Sequence, residues 1–164
     1  FARWWPYVNA SVQFFLEHYP QRTTGSGEVV FFPAQAIETF WCAYPPDETN
    51  CCTNDLPTVS AVTTLLQKLT SFSPALLAAL DISNDQVTNW QNFLEIMPPL
   101  PLSKDGSQFV PAQSYPPQVH NSETPELYCT HPYRLISVGR AEGNKAASRS
   151  PVDLQPVSSG ELVP

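Results

Sequence analysis

The residues able to do chemistry gather in two stretches. The first runs Phe31-Phe32-Pro33-Ala34-Gln35-Ala36-Ile37-Glu38-Thr39-Phe40-Trp41 and sets a single acid, Glu38, among aromatic and aliphatic neighbours. Beside Ile37, Phe40 and Trp41 a carboxyl is expected to be partly desolvated, which favours its protonated form near neutral pH and suits a general acid. Aromatic rings also stack on the C–H faces of sugars, whose hydroxyls want carboxylates, amides and imidazoles as partners. Carbohydrate chemistry is therefore the expectation. The competing reading makes Glu38 a solvent-facing residue on a segment whose aromatics are ordinary core.

The second stretch, from His120 to Leu135, holds His120, Asn121, Glu123, Glu126, Tyr128, His131, Tyr133 and Arg134. Such a density of titratable and hydrogen-bonding groups without apolar periodicity is typical of sites carried on loops. Its plain alternative is a solvated loop in which Glu123 caps a short helix.

These stretches need elements to hold them. Trp5, Val8, Val12, Phe15, Leu16 and Tyr19 recur at spacings of three and four, with Pro6 in the first turn, and predict an amphipathic helix ending near Pro20. Glu28 to Phe32 reads as a short extended segment entering the Glu38 stretch, and Tyr44 to Asn50 as turns. Asn54 and Asp55 precede a second helix with apolar residues at Val59, Val62, Leu65, Leu66 and Leu69, and taken alone they read as caps. A third, short helix follows Ser73-Pro74. Ser83 with Gln86 matches a capping box opening a fourth helix through Val87, Trp90, Phe93 and Leu94. Met97-Pro98-Pro99-Leu100-Pro101-Leu102 ends it; the P-x-x-P match there is explained more simply by a packed loop than by an aromatic-groove partner. Lys104-Asp105-Gly106 is a turn, while Phe109-Val110-Pro111 and Tyr115-Pro116-Pro117 are extended.

The totals narrow the class. At 164 residues the chain suits one ordinary domain, although 18 prolines demand long extended connections. A formal charge of −7 and a pI near 4.7 argue against a phosphate-backbone partner, so no nucleic acid is expected. No apolar run reaches membrane-spanning length, and Phe-Ala-Arg-Trp-Trp lacks a basic region followed by an apolar one. With no Met at position 1, a mature product or a piece of something longer is expected. Of four cysteines, Cys42, Cys51, Cys52 and Cys129, the tightest ligand pairing is Cys129 with His131, so buried or disulfide-bonded cysteines are favoured over a metal site. No cofactor is expected. Acidic character, sparse lysine and one sequon, Asn9-Ala10-Ser11, lean toward the secretory pathway or an extracellular location.

The motif Asn121-Ser-Glu-Thr-Pro-Glu-Leu-Tyr, followed by His-Pro-Tyr-Arg-Leu, resembles a stretch of glycoside hydrolase family 95, the alpha-L-fucosidase and alpha-L-galactosidase type, and of its six-hairpin relatives. There the run is Asn-x-Glu-Asn-Pro-Glu-Leu-Tyr, then Phe-Pro-Tyr-Arg-Leu. The Trp90 to Leu102 segment, a helical Trp leading into Pro-Pro-Leu-Pro, is similar to the family as well.

The resemblance spans about Trp5 to Arg140 and implies an all-α fold, a partial (α/α)6 toroid over residues 1–140; the Ala, Ser, Gly, Lys, Pro and Val composition without period at 141–164 reads as a mostly disordered tail. It implies an inverting glycosidase for an alpha-linked deoxy- or L-sugar. Glu38 corresponds in order to the family's general acid, although the family's Ser-Pro-Glu reads Ala36-Ile37-Glu38 here. Inversion needs a second group directing water, with the carboxyls roughly 6.5–9.5 Å apart. No counterpart of the family's base aspartate occurs in the chain. Asp55, Glu123 and Glu126 are candidate acids of a sugar pocket and His120, Asn121 and His131 candidate hydroxyl partners; Trp41, Asn54, Tyr128 and Arg134 complete the candidate set. After Arg140, where relatives continue in further helices, the chain runs into Ala146-Ala147-Ser148-Arg149-Ser150-Pro151, which truncation, splicing or a faulty gene model would each produce. The rival classes are a carbohydrate-binding protein that lacks the full catalytic pair and a helical interaction scaffold.

Overall fold

A computed structural model describes residues 2–19 and 23–137. Its elements are a 3₁₀ turn Ala2–Trp4, helix α1 Trp5–His18, strand β1 Thr53–Asp55, helices α2 Leu56–Thr70, α3 Pro74–Ala79 and α4 Asn84–Glu95, strand β2 Ala112–Ser114 and a 3₁₀ turn Pro125–Leu127. The helices start where local chemistry dictates. Asp55 accepts a hydrogen bond from the Thr58 N–H, Ser73 from Leu76, and Ser83 and Gln86 close a reciprocal capping box. Each cap satisfies an amide that a helix start leaves without an internal partner, at about 1 kcal/mol apiece.

The core forms where α2 and α4 pack together. Val59, Val62, Leu66 and Leu69 of α2 meet Trp90 and Phe93 of α4, and Val12, Val29, Phe31, Ile82 and Met97 complete the buried set. Full burial of each such side chain contributes about 1.5–3 kcal/mol. From α1, Trp5 sets its ring edge-on to Trp90, with centroids 6.1 Å apart, and Phe15, with Tyr19 just past the helix end, meets Phe31 in the same manner. A smaller cluster of Ala36, Phe40, Cys52 and Ala112 lies beside the strands.

The expected all-α toroid does not hold. The described residues form a small mixed α/β domain: four helices of 14, 15, 6 and 12 residues and a two-stranded antiparallel sheet, with Thr53 opposite Ser114 and Asp55 opposite Ala112. Helical hairpins stacked in a ring need short connections between long helices. Here the proline-rich segments before β1 and after α4 instead fold as bridged loops, with single ladder pairs Thr23 to Val29, Ala34 to Cys52, Ala36 to Phe40 and Leu102 to Phe109. Glu123 is no helix cap, since Thr124 precedes the second 3₁₀ turn and no side chain caps it. The tail expected at 141–164 lies outside the described residues.

Cys42 and Cys51 form a disulfide, and Cys52 and Cys129 are buried free thiols. The disulfide is compatible with an oxidising, extracellular setting. Among the described residues, no helix is long and apolar enough to cross a membrane, and no group of three or more His, Cys, Asp or Glu side chains is placed to hold a metal ion.

Candidate functional site

The two chemistry-bearing stretches meet at Thr39. Its hydroxyl, almost fully buried, donates to Asn121 Oδ1 at 2.7 Å and lies 3.3 Å from the Glu123 carbonyl. The His120 N–H donates to the Thr39 carbonyl at 2.9 Å. Asn121 Oδ1 also accepts the Glu123 N–H at 3.0 Å, which closes a local turn. Trp41 and His120 then stack face to face, ring centroids 4.1 Å apart and planes 2° apart, with Trp41 still 52% exposed. Glu38, Trp41, His120, Asn121 and Glu123 thus share one locus although about 80 residues separate them in sequence.

Glu38 itself is exposed, so the desolvation expected from its neighbours is absent. The turn explains this. Ile37 adopts a φ of 56°, in the left-handed region, and Ala36 and Phe40 bridge across the turn. That conformation buries Ala36, Thr39 and Phe40 and leaves Glu38 pointing outward. For a β-branched residue such a φ costs about 1–2 kcal/mol, which the surrounding contacts must hold in place.

From the turn the site continues through rings. Phe40 meets Tyr115 edge-on at 5.0 Å, and Tyr115 forms part of an open groove of about 420 Å³ lined by Gln108, Phe109, Val110, Pro111, Glu126 and Leu127. Glu126 reaches the groove from the 3₁₀ turn Pro125–Leu127, below which Cys129 anchors the backbone by directing its thiol at the Glu126 carbonyl, 3.5 Å away. The groove wall therefore carries two aromatic rings, an amide and a carboxylate.

The other predicted residues stand apart. Tyr128 is half-buried with its ring 6.3 Å from that of Tyr133, and His131 and Arg134 are exposed on the turns beyond. Asn54 and Asp55 lie inside the protein, at 2% and 1% exposure. Asn54, with a φ of 50°, accepts the Phe31 N–H at 2.8 Å and donates to Gln113 Oε1 at 2.7 Å, so it links segments rather than capping a helix. Asp55 does cap α2 through Oδ1, whereas its Oδ2 is buried without a hydrogen-bond partner.

Burial pushes the Asp55 carboxyl up to about 6, against the opposing hydrogen bonds from Thr58. The same burial raises the Cys52 thiol to about 11, and it raises the Tyr19 and Tyr133 hydroxyls, with the Asp55 charge a lesser cause in all three. The carboxyl that burial raises is thus a core residue, Asp55.

Sequence reasoning passed over Thr39, Gln108, Phe109 and Tyr115. The one available signal was the presence of large aromatics inside proline-bearing segments of no apolar period. No known protein family and no curated protein matches this chain.

Proposed function

We propose that this chain recognises carbohydrate, with the sugar lying in the groove bounded by Tyr115 and Glu126. The observation that carries this reading is the make-up of the groove wall: Phe109 and Tyr115 offer ring faces, and Gln108 and Glu126 offer hydroxyl partners, around about 420 Å³. That volume suits a small ligand, for which sites of about 300–1,000 Å³ are usual. Glu126 also belongs to the stretch that resembles the fucosidase-type family, which supports a sugar over other small ligands. A chain charge of −7 repels polyanionic glycans and favours neutral ones.

The strained Ile37 favours a second reading, hydrolysis with Glu38 as proton donor. Strained backbone clusters at active sites, and a bound glycan would supply the desolvation that free Glu38 lacks. On that reading Glu38→Gln lowers turnover of an unactivated fucoside or galactoside by about a hundredfold or more.

The test of recognition is calorimetric titration with neutral oligosaccharides bearing terminal L-fucose or L-galactose. Tyr115→Ala and Glu126→Gln are each expected to weaken saturable binding by roughly tenfold, the equivalent of about 1.4 kcal/mol. Unchanged affinity in both correctly folded variants, or no saturable binding to any such glycan, sinks the reading.

A further inference from the structure

Helix α1, together with the 3₁₀ turn that leads into it, carries a second stripe besides its core face. Trp4, Tyr7, Ser11, Phe14 and His18 follow one another at spacings of three and four. All five are exposed, the three large rings at 62%, 69% and 51% for Trp4, Tyr7 and Phe14. At about 100° per residue the stripe covers one narrow arc, beside the face formed by Trp5, Val8, Val12 and Phe15 that packs on the core, and opposite Asn9 of the sequon. The rings are mutually ordered: Trp4 and Tyr7 lie 6.0 Å apart, and Phe14 and His18 stack at 5.0 Å. Apolar residues at alternating spacings of three and four form the kind of seam by which one helix packs on another.

We propose that two copies of this chain associate through an antiparallel pairing of α1 about a two-fold axis passing between Tyr7 and Ser11. The register follows from size and charge. In antiparallel packing with that axis, Trp4 of one copy lies against Phe14 of the other, and Tyr7 fills the space over the small Ser11. Flanking the seam, Arg3 of one copy meets Glu17 of the other, and symmetry repeats this pair at the far end. Both residues are exposed. Within one copy they stand 14 positions apart, about 21 Å along the helix, too far to pair with each other. Sliding by a turn one way sets Ser11 against Ser11 and leaves a gap at the centre of the seam, and sliding the other way draws Arg3 and Glu17 apart.

Area agrees with a reversible dimer. Three rings that each span about 150–250 Å², half to two thirds exposed, give roughly 300–400 Å² per copy before the flanking side chains are added. With those flanks the pair of surfaces approaches about 1,000 Å², the low end for specific association. The contact is isologous and closes at two copies, so it yields a discrete dimer and no filament. Rim charges set register more than affinity. A net charge of −7 per copy opposes the association at low salt, which the Arg3–Glu17 pairs locally offset.

Sedimentation equilibrium of the full 18.2 kDa chain tests the pairing. The expected result is a concentration-dependent shift from monomer to dimer. Phe14→Lys, which changes an exposed residue, is expected to weaken it by at least tenfold. Arg3→Glu and Glu17→Arg should each weaken it severalfold, and the chain carrying both exchanges should regain the original affinity. A chain that stays monomeric at all concentrations overturns the proposal, as does a dimer indifferent to Phe14→Lys or one that the double exchange does not restore. Binding to phosphatidylcholine vesicles in place of dimerisation overturns it equally.

Discussion

Asp55→Asn is the substitution that most directly probes how this interior is held. Asp55 is 1% exposed, its Oδ1 accepts the Thr58 N–H at 2.9 Å, and its Oδ2 has no hydrogen-bond partner. Two effects compete at this carboxyl. The capping bond and the positive end of α2 favour the anion by up to about 2 kcal/mol, but taking the charge out of water disfavours it more strongly, so the group titrates near 6 in place of 3.8. A carboxyl whose pKa is raised on folding is neutral in both states below about pH 4 and carries no ionisation cost in the native state there. As pH climbs through the interval the unfolded chain ionises first, and the loss grows until it is complete above about pH 6–7. The interval corresponds to about 3 kcal/mol.

Asparagine keeps the shape and the Thr58 acceptor but cannot ionise. Its amide nitrogen, in the place of Oδ2, strands a donor at a cost of about 1–3 kcal/mol at every pH. The native chain is therefore expected to be more stable than the variant near pH 4 and to lose that advantage, reaching parity or inversion, near pH 7. Urea unfolding at matched slopes across this range measures the gap directly. A gap constant to within about 0.5 kcal/mol, or one widening in favour of aspartate as pH rises, refutes the claim that desolvation dominates at this carboxyl.

Asn54→Ala should cost roughly 2–4 kcal/mol, because it leaves the buried Phe31 N–H without its acceptor and puts alanine at a φ of 50°; Asn54→Gly, which relieves the backbone part alone, should cost about 1 kcal/mol less by the same urea measurement. Replacing both Cys42 and Cys51 by serine opens a loop whose ends are 9 residues apart and should cost about 2–3 kcal/mol, seen as a lowered urea midpoint that reductant no longer alters.

What could be foreseen from sequence was what is local. The caps at Asp55, Ser73 and Ser83 depend on residues within one turn, and all three helices begin where those residues stand. The sheet was illegible for the opposite reason: each strand has three residues, too few for a period, and its register is set by partners about 60 residues away. Asn54 looked like a cap because its neighbour is one, yet its side chain serves Phe31, 23 residues earlier. Glu38 was misjudged in its surroundings because apolar neighbours in sequence were taken as neighbours in space. A left-handed Ile37 turns those neighbours inward and the acid outward. The pairing of the Glu38 stretch with the His120 stretch was half legible: composition marked both, and nothing in either pointed to Thr39 as the joint.

The groove sits on loops, and loops ordinarily yield a site that a ligand must first order at an entropic cost. Here the loops are tied to the core by one buried amide. Asn54 holds Phe31, at the head of the segment leading to Glu38, and its other end holds Gln113, two residues before Tyr115. The Leu56 N–H fastens the same junction to the Pro111 carbonyl, so both loops are referred to the first residue of α2. Tyr115 then closes the circuit by packing on Phe40. Because α2 is also the helix that builds the core with α4, the Tyr115 side of the candidate site is referred to the most buried part of the molecule. If the groove takes the sugar proposed above, preorganisation of that kind lowers the ordering cost that its weak individual contacts must overcome.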